Sequence, residues 1–509
     1  MMKIFKTSLP VFLIFVLAGS FLPKDSLAAD KPNILFFLVD DMGVGDTSVP
    51  FLYVDGKPKR IPTNDLYRTP NMEKLAKGGR LFTQAYSYSV CSPTRISLMT
   101  GQAAPRHGVT TWTHPKKSSV DTGRVQTKTI KSPGDWTIKG LDLSLPLLPR
   151  ILHDSGYATL FAGKAHFGPD DTPAGNPLNL GFEVNIAGYG GGGPGAYHGK
   201  HDFSAAWRSK NNHTWDVPGL DKYHGKDVFL TEAITLEMKQ AITDAVDNKK
   251  PFFSYMSHYA VHAPYEVDDR FKKNYPQLKG HALAFATLVE GMDKSLGDLI
   301  RHLEKSGVAE ETLIIFFSDN GSTFHTNGPY RDKKGSRYEG GLRVPLIVSW
   351  AKPNPENPLQ REFPIPTRSV DHTVVTCVDM MPTILGLAGT EIPEETILDG
   401  VDVSPAFLGH STFKTDSTFT THFPHKHRNT LFSTHREGDW KIIYNYGSES
   451  WELYDLRSDP FEKKNLISEK PEIGRKIAGK LIQVLDEQNA DYPLGLKTGK
   501  PVKLDLSKI

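Results

Sequence analysis

The stretch "NILFFLVDDMG", residues 33–43, decides the fold class of this chain. Its apolar side chains run without a break instead of alternating with polar ones, which is typical of a parallel strand covered by helices on both faces. Two acids, Asp40 and Asp41, follow the apolar run directly. Ligands bind at the carboxyl ends of strands in sheets of this kind, so these acids mark a candidate site.

The same pattern returns along most of the chain. Further strands are predicted at 158–164, 251–257, 312–321 and 344–350, and helices at 71–79, 145–157 and 281–304. Strands that alternate with helices predict an α/β domain built on a large, mostly parallel sheet flanked by helices. We expect this domain to cover residues 29–404.

The pattern changes in the C-terminal part. Residues 428–460 alternate apolar and polar side chains over short stretches, as antiparallel strands do. Residues 472–488 show the spacing of an amphipathic helix. A smaller α+β domain with a short antiparallel sheet is therefore predicted over residues 405–509.

The first residues read as a targeting segment. Lys3 and Lys6 precede an apolar stretch from Leu9 to Leu22, and small residues follow at 26–28. This order is typical of a secretory signal peptide, here residues 1–28, whose removal leaves no stable membrane insertion. The alternative is an uncleaved membrane anchor. We expect an exported protein, periplasmic or extracellular.

Charge and cysteine content exclude two classes of protein. The formal net charge is +2 and no long basic run occurs, so nucleic acid is not an expected partner. The chain has only two cysteines, Cys91 and Cys377, which excludes a disulfide framework. A single Cys91–Cys377 bridge stays open at this point.

Two clusters of oxygen-bearing side chains follow predicted strands. Asp40 and Asp41 end the first strand, and Asp319 and Asn320 end the strand at 312–321. Such side chains suit a hard cation, Ca²⁺ or Mg²⁺, better than zinc. One cluster alone would be read as a turn or a helix cap, but two at strand ends favour a metal site.

Basic side chains form a second group of candidates: Lys164, His166, His262 and Lys334, together with Arg95 in the predicted helix after Cys91. Taken singly, a histidine is more often structural and a lysine solvated. Together with a helix N-terminus they could form a cationic pocket for a tetrahedral anion.

The segment "CSPTRISLMTG", residues 91–101, resembles the signature of type I sulfatases, which belong to the alkaline phosphatase superfamily. Cys91, Pro93, Thr94 and Arg95 match it, as does the closing Thr-Gly. Further blocks resemble the family in the same order: "NILFFLVDDMG", "GKAHFG", "VHAP", "SDNGS" and "KKGSRYEGGLRVP". The resemblance implies an alkaline phosphatase-like fold, with a large mixed sheet and a small C-terminal antiparallel sheet.

The resemblance also implies a cofactor set. Cys91 would be oxidised to formylglycine by a formylglycine-generating enzyme, and the hydrated aldehyde would attack the sulfur of a sulfate ester. Ca²⁺, with Mg²⁺ as the less favoured ion, would be held by these residues: Asp40, Asp41, Asp319, Asn320 and the modified Cys91.

Roles for the other residues follow from the same resemblance. Arg95 would help to hold the nucleophile, and Lys164 and Lys334 would neutralise the sulfate oxygens. His262 would protonate the departing alcohol, and His166 would remove the proton whose loss releases sulfate. In the Lys-x-His block, Ala165 and Phe167 replace residues common in the family, so the pocket wall could differ.

The substrate is predicted to be a sulfated carbohydrate or another sulfate ester. The glycine-rich segment 188–200 is expected to form a flexible loop near the pocket mouth. Four polar residues could also line this mouth: His201, Arg208, His325 and Arg331. Ordinary surface exposure is the alternative for each of the four. Two other functions remain open, a phosphonate or phosphodiester hydrolase of the same superfamily and an unmatured glycan-binding protein.

Overall fold

The computed structural model describes residues 31–54, 56–118, 129–324, 328–410, 413, 418–425 and 431–509. Residues 1–28, predicted as a signal peptide, lie outside these ranges. Within them, no helix is both long and apolar enough to cross a membrane.

An eight-stranded sheet forms the centre of the molecule. Its strands are β1 Asn33–Val39, β2 Arg80–Tyr86, β3 Ala158–Gly163, β4 Val184–Ile186, β5 Phe252–Ser257, β6 Thr312–Ser318, β7 Arg343–Trp350 and β8 Ser369–Thr376. The spatial order is β8-β2-β7-β6-β1-β5-β3-β4. Only β7 runs antiparallel to its neighbours, so the sheet is mixed and mostly parallel, as predicted.

Seven longer helices accompany the strands: α1 Pro70–Gly78, α2 Cys91–Thr100, α3 Leu148–Asp154, α4 Leu230–Asp247, α5 Gly280–Lys305, α6 Met380–Leu387 and α7 Pro471–Glu487. Short helices lie at Pro62–Leu66, Ala104–His107, Glu339–Leu342, Pro358–Glu362 and Ser404–Phe407. Two-residue strands pair Tyr53–Val54 with Lys57–Pro58, and Ile130–Lys131 with Leu494–Gly495. α3 starts later than predicted, with Pro149 in its first turn, and ends ahead of Gly156, whose φ of 92° is not helical.

The large sheet is covered on both faces. On β1, Ile34 and Phe36 belong to one apolar cluster, and Leu35 and Phe37 belong to another. Helices α2, α3 and α6 pack into the first cluster and α4 and α5 into the second. This two-sided burial is the reason why β1 lacks the alternation of a half-exposed strand.

The C-terminal part forms the predicted antiparallel sheet. Its strands are β9 Thr418–Phe423, β10 Phe432–Glu437, β11 Trp440–Asn445 and β12 Ser450–Asp455, paired in chain order. Helix α7 packs its apolar face on this sheet. Residues 31–509 form one compact unit, and the domain boundary at residue 405 stays a prediction.

Candidate active site

The predicted site residues meet because four neighbouring strands end at the same edge of the sheet. In spatial order these strands are β6, β1, β5 and β3. They are followed by Asp319 and Asn320, by Asp40 and Asp41, by the segment that leads to His262, and by Lys164 and His166. All of these residues are buried except His262, which is partly exposed.

The oxygen atoms converge as a cation site requires. The backbone N–H of Asp41 donates to Asp319 Oδ1 at 3.0 Å, and Asn320 Nδ2 donates to Asp41 Oδ1 at 2.8 Å. Asn320 Oδ1 is buried and has no hydrogen-bond partner among the residues that the structure describes. A buried amide oxygen is costly to leave unpaired, and beside three carboxylates it suits a hard divalent cation. The donor set therefore fits a divalent cation.

Residue 91 lies within reach of the same cluster. Asp40, Cys91 and Asp319 each offer one ligand atom, and these three atoms lie within 4.8 Å of one another. Thr323, which follows Asn320 closely in the chain, also donates from its hydroxyl to Asp41 Oδ2. Sequence reasoning did not single out Thr323, although its nearness to Asn320 was a usable signal.

Three buried cations pair with the three carboxylates. Arg95 Nε donates to Asp319 Oδ2 at 2.9 Å, and Lys164 Nζ donates to Asp40 Oδ2 at 2.7 Å. Lys334 Nζ donates to Asp41 Oδ1. Burial raises the pKa of Asp40 in spite of Lys164. Burial also acts to raise the pKa of Asp41, but the ammonium of Lys334 and other nearby cationic groups hold it well below its ordinary value.

Arg95 contacts more than one part of the site. Its Nη1 donates to the backbone oxygen of Lys164 at 2.8 Å and to Ser257 Oγ at 2.7 Å. The guanidinium therefore ties the ends of β3, β5 and β6 together. It lies against Asp319, with Nη2 at 3.7 Å from Asp40 Oδ1.

Cys91 is the first residue of α2, and its side chain is buried. Lys334 Nζ lies 3.1 Å from its sulfur, and Asp40 Oδ1 lies 3.9 Å away. Burial raises the pKa of the thiol, although Lys164 and Lys334 oppose that effect. A thiol that keeps its proton is a weak nucleophile. Both cysteines are free, so the Cys91–Cys377 bridge left open by the sequence is absent.

The two histidines present opposite ring nitrogens to the site. His166 Nε2 donates to the backbone oxygen of Thr113 at 2.8 Å, which leaves Nδ1 as its acceptor, buried and unbonded within the described ranges. His262 Nδ1 donates to the backbone oxygen of Ala263 at 2.6 Å, and its Nε2 lies 3.8 Å from Asp41 Oδ2. Burial lowers the pKa of His166 well below its ordinary value and that of His262 to about 3. These shifts favour the neutral form of both rings in the free protein.

A cavity of about 430 Å³ opens above Cys91. The predicted residues His166, His262 and Lys334 line it with Cys91. The larger side chains that also line it are Trp112, Arg208 and Trp215. No local pattern in the sequence marks the two tryptophans. Ala165 and Phe167, the departures from the family pattern, are buried in the core and do not line the cavity.

Of the four residues expected at the pocket mouth, one is among those that line the cavity, Arg208. Arg331 is not among the lining residues; its guanidinium stacks over Tyr338, 3.7 Å from the ring centroid, and donates to Tyr454 Oη at 3.0 Å, which fits the alternative of a partly exposed side chain. His201 stacks on Trp207 with ring centroids 4.4 Å apart. His325 lies outside the described residues.

The glycine-rich segment reaches the site, but as a packed loop. A Cβ on Gly192 would lie 2.8 Å from the His166 ring, and one on Gly193 would lie 2.8 Å from His262 Nδ1. Such distances leave no room for a side chain. Instead of forming the expected flexible loop, the segment packs closely against both histidine rings.

These features have a match among known proteins. Residues 32–390 match the sulfatase family model, and residues 329–491 match the model of the N-sulphoglucosamine sulphohydrolase C-terminal region. The chain belongs to the sulfatase family. Sulfatases hydrolyse sulfate esters, and the family implies a formylglycine and a divalent cation. The phosphonate or phosphodiester hydrolase alternative is not favoured.

Several relatives of this sulfatase are similar over much of their length. A sulfatase of Formosa agariphila is 27% identical, over 94% of this chain and 93% of that protein. The N-acetylgalactosamine-6-sulfatase of Mus musculus is 29% identical, over 75% and 67%. The crystal structure of Ps i-CgsB in complex with k-i-k-neocarrahexaose superposes with a TM-score of 0.70 at 26% identity, over 89% and 93% of the two chains.

Proposed function

We propose that this sulfatase removes sulfate from a sulfated carbohydrate, with formylglycine at position 91 as the nucleophile. The observation that carries the proposal is a cavity that has Cys91, Lys334 and both histidines on its wall and two tryptophans beside them. Aromatic faces present flat apolar surface with a polar edge, which suits a sugar ring. Two relatives support this substrate class, one named for an N-acetylgalactosamine sulfate and one solved with a neocarrahexaose.

The proposed cation is Ca²⁺, held by Asp40, Asp41, Asp319 and Asn320. All four offer oxygen, and the buried Asn320 Oδ1 has no hydrogen-bond partner within the described residues. Calcium accepts more oxygen ligands, in a less regular arrangement, than magnesium does. When bound, the ion would polarise the attacking oxygen and offset the charge of the carboxylates.

The proposed nucleophile is made when a formylglycine-generating enzyme oxidises Cys91 to an aldehyde. The hydrated aldehyde suits the reaction because one of its oxygens can attack sulfur and the other can expel sulfate. The protonated thiol of the unmodified chain is unsuited to the attack. Lys334 Nζ, 3.1 Å from Cys91 Sγ, is close enough to donate to an oxygen of the sulfate group. Lys164 supports it by neutralising Asp40.

The two histidines are proposed to move protons on opposite sides of the reaction. His262 uses Nε2 to protonate the alcohol oxygen as it leaves, and His166 uses Nδ1 to accept a proton from residue 91. The neutral form of His262 is favoured in the free protein, so the ring gains its proton when the substrate binds. The negative charge of a bound sulfate ester favours that protonation.

We further propose that the protein is exported, to the periplasm or the cell exterior, by the signal peptide predicted at residues 1–28. Its substrates would then be polysaccharides or their fragments that have not entered the cytoplasm.

The test of the nucleophile is the mass of one peptide. Trypsin releases residues 81–95, which contain Cys91, and the sulfatase expressed in a maturing host should show an aldehyde in place of the thiol there. Cys91→Ala should lose at least about 10³-fold in kcat, since the covalent route is gone. Cys377→Ala, at the buried free cysteine outside the cavity, is the matched control and should keep its activity.

The outcome also separates this function from the glycan-binding alternative. An intact thiol in protein from the native organism, together with binding of sulfated glycans but no turnover, would favour the binding protein. Release of sulfate from 4-nitrophenyl sulfate alone, with none from any sulfated glycan, would leave a sulfatase but refute the carbohydrate substrate.

A further inference from the structure

Among the residues that the structure describes, each lysine or arginine around the cavity faces a carboxylate except one. Arg95, Lys164 and Lys334 each face a carboxylate, Asp319, Asp40 and Asp41 respectively. Arg208 also lines the cavity, yet within the described part of the chain its guanidinium pairs with no carboxylate. The cavity therefore contains a cation that the metal site and the sulfate-binding lysines do not account for.

Arg208 is held in place by the glycine-rich loop. Its Nη1 donates to the backbone oxygen of Gly195. A Cβ on Gly195 would lie 2.4 Å from the backbone nitrogen of Ala205, so this loop and the segment that carries Arg208 pack backbone to backbone. Because Gly193 of the same loop lies against His262, the position of Arg208 is tied to the proton donor.

One hydrogen bond leaves most of the guanidinium free to bind a ligand. A guanidinium carries five N–H donors, and only Nη1 of Arg208 is engaged by Gly195. Its planar fork matches the two oxygens of a carboxylate or a sulfate better than it matches single hydroxyls.

Aromatic side chains form part of the wall of the same cavity. The His114 ring contacts both tryptophans, with its centroid 6.3 Å from that of Trp112 and 6.4 Å from that of Trp215. Trp112 precedes Thr113, whose backbone oxygen binds His166, so this wall is also connected to the catalytic groups. A sugar ring stacked there would present its other substituents to the rest of the cavity.

We infer that Arg208 determines specificity by binding a second anionic group, a sulfate or a carboxylate, on the sugar that is being desulfated or on its neighbour. This inference rests on the proposed function, because it requires a carbohydrate substrate. Arg208 is a binding residue and takes no part in the proton transfers. The sulfatase therefore prefers multiply charged glycans to singly sulfated ones.

The test uses matched pairs of oligosaccharides from carrageenan, chondroitin sulfate, heparan sulfate and fucoidan. The members of a pair differ only in a second sulfate on the same ring, or in a carboxylate or sulfate on the neighbouring ring. The matured wild-type enzyme should show a kcat/KM about 10- to 100-fold higher for the more charged member, mostly through KM. If the kcat/KM ratio is larger for pairs that differ on the same ring, the second group lies on the ring being desulfated; if it is larger for the other pairs, the group lies on the neighbouring ring.

Three variants complete the test. Arg208→Met should collapse the ratio within each pair to near one, and Arg208→Lys should keep part of it, because the charge remains without the fork. Arg150→Met is the matched control, an exposed arginine that also donates to backbone oxygens but does not line the cavity, and it should keep the wild-type ratio.

Two results would overturn the inference while leaving the proposed function in place. One is a wild-type ratio near one in all pairs of cleaved glycans. The other is an equal loss for both members of a pair in Arg208→Met, which would make Arg208 a support for the loop only. Cleavage of 4-nitrophenyl sulfate without cleavage of any glycan would refute the carbohydrate function, and the inference with it.

Discussion

The two histidines show how a single hydrogen bond determines which ring nitrogen is left to exchange a proton. Each ring gives one N–H to a backbone oxygen, Thr113 for His166 and Ala263 for His262, but the donor is Nε2 in the first and Nδ1 in the second. The nitrogen left over is the one that can exchange a proton. A backbone oxygen cannot change its protonation, so these assignments are built into the fold.

His262 is expected to matter most when the leaving group needs a proton. His262→Gln should lower kcat for a sugar sulfate by about 10²- to 10⁴-fold, because a sugar alkoxide leaves poorly without general acid catalysis. The loss for 4-nitrophenyl sulfate should be much smaller, because nitrophenolate leaves unprotonated. Steady-state kinetics with both substrates measures the difference. His201→Gln, outside the cavity lining, serves as control, and equal losses for both substrates would contradict the role.

Asn320 gives a test of the cation that does not depend on turnover. Ca²⁺ at one hundred times its Kd should stabilise the native state by about 2.7 kcal/mol, and EDTA should remove that gain. Thermal unfolding of the protein with EDTA, Ca²⁺ or Mg²⁺ measures it, with the larger increase in Tm expected for Ca²⁺. Asn320→Ala should weaken the response, while Asn248→Ala, an exposed residue after α4, should retain it. A Tm that is the same with EDTA, Ca²⁺ and Mg²⁺ would argue against the cation site.

At the scale of an element, the glycine-rich loop packs against the site so closely that its positions next to the histidines require glycine. Gly192 and Gly193 approach the His166 and His262 rings to distances at which a Cβ would overlap them. Neither glycine has a positive φ, so the reason for glycine is close approach to a side chain and not backbone conformation. The loop thereby limits the movement of both rings.

Gly193→Ala is predicted to lower activity more than stability. The added methyl carbon would lie only 2.8 Å from His262 Nδ1, so the ring must shift and kcat should fall by about tenfold or more. Gly447→Ala is the matched control, since a Cβ there meets nothing within 4 Å, and it should leave kcat unchanged. Kinetics and Tm are measured together. A fall in Tm that accounts for the whole loss of activity would contradict the positioning role.

At the scale of the whole molecule, buried charges join the small sheet to the large one. Lys441 of β11 lies 3.0 Å from Glu339 Oε1 and 2.7 Å from Glu462 Oε1. Glu339 begins the short helix after Lys334 and also pairs with Arg343 at the start of β7. Burial raises the pKa of Glu462. At Glu339 burial has the same effect, but the charges of Lys441 and Arg343 outweigh it and lower the pKa. The segment that carries Lys334 is thus anchored from the C-terminal side.

Removal of Lys441 should destabilise the protein strongly. Lys441→Met leaves two carboxylates buried with less compensation, a loss of about 3–5 kcal/mol in the free energy of unfolding. Lys480→Met is the control, because Lys480 forms a partly exposed pair with Glu437 and should cost no more than about 1 kcal/mol. Urea unfolding of the three proteins measures both values. Equal costs would show that the buried network contributes no more than a surface pair.

Much of the fold could be predicted from the sequence because its signals are local. The apolar runs at 33–39 and 312–318 form strands where predicted, and the acids that follow them meet because parallel strands end at one edge. No range was predicted for β2, β4 or β8. β4 has three residues, and β8 is a half-exposed edge strand that lacks a continuous apolar run.

The sequence by itself determined the strand-end chemistry of this sulfatase: the oxygen cluster, the basic residues, and the cysteine at a helix start. Only the tertiary structure decided what surrounds them. Trp112, Gly193, Arg208 and Trp215 reach the cavity through loops, and Lys441 reaches Glu339 from another sheet. A periodic pattern reports which side of its own strand or helix is buried, whereas the meeting of distant loops depends on how the packed layers bring separate parts of the chain together.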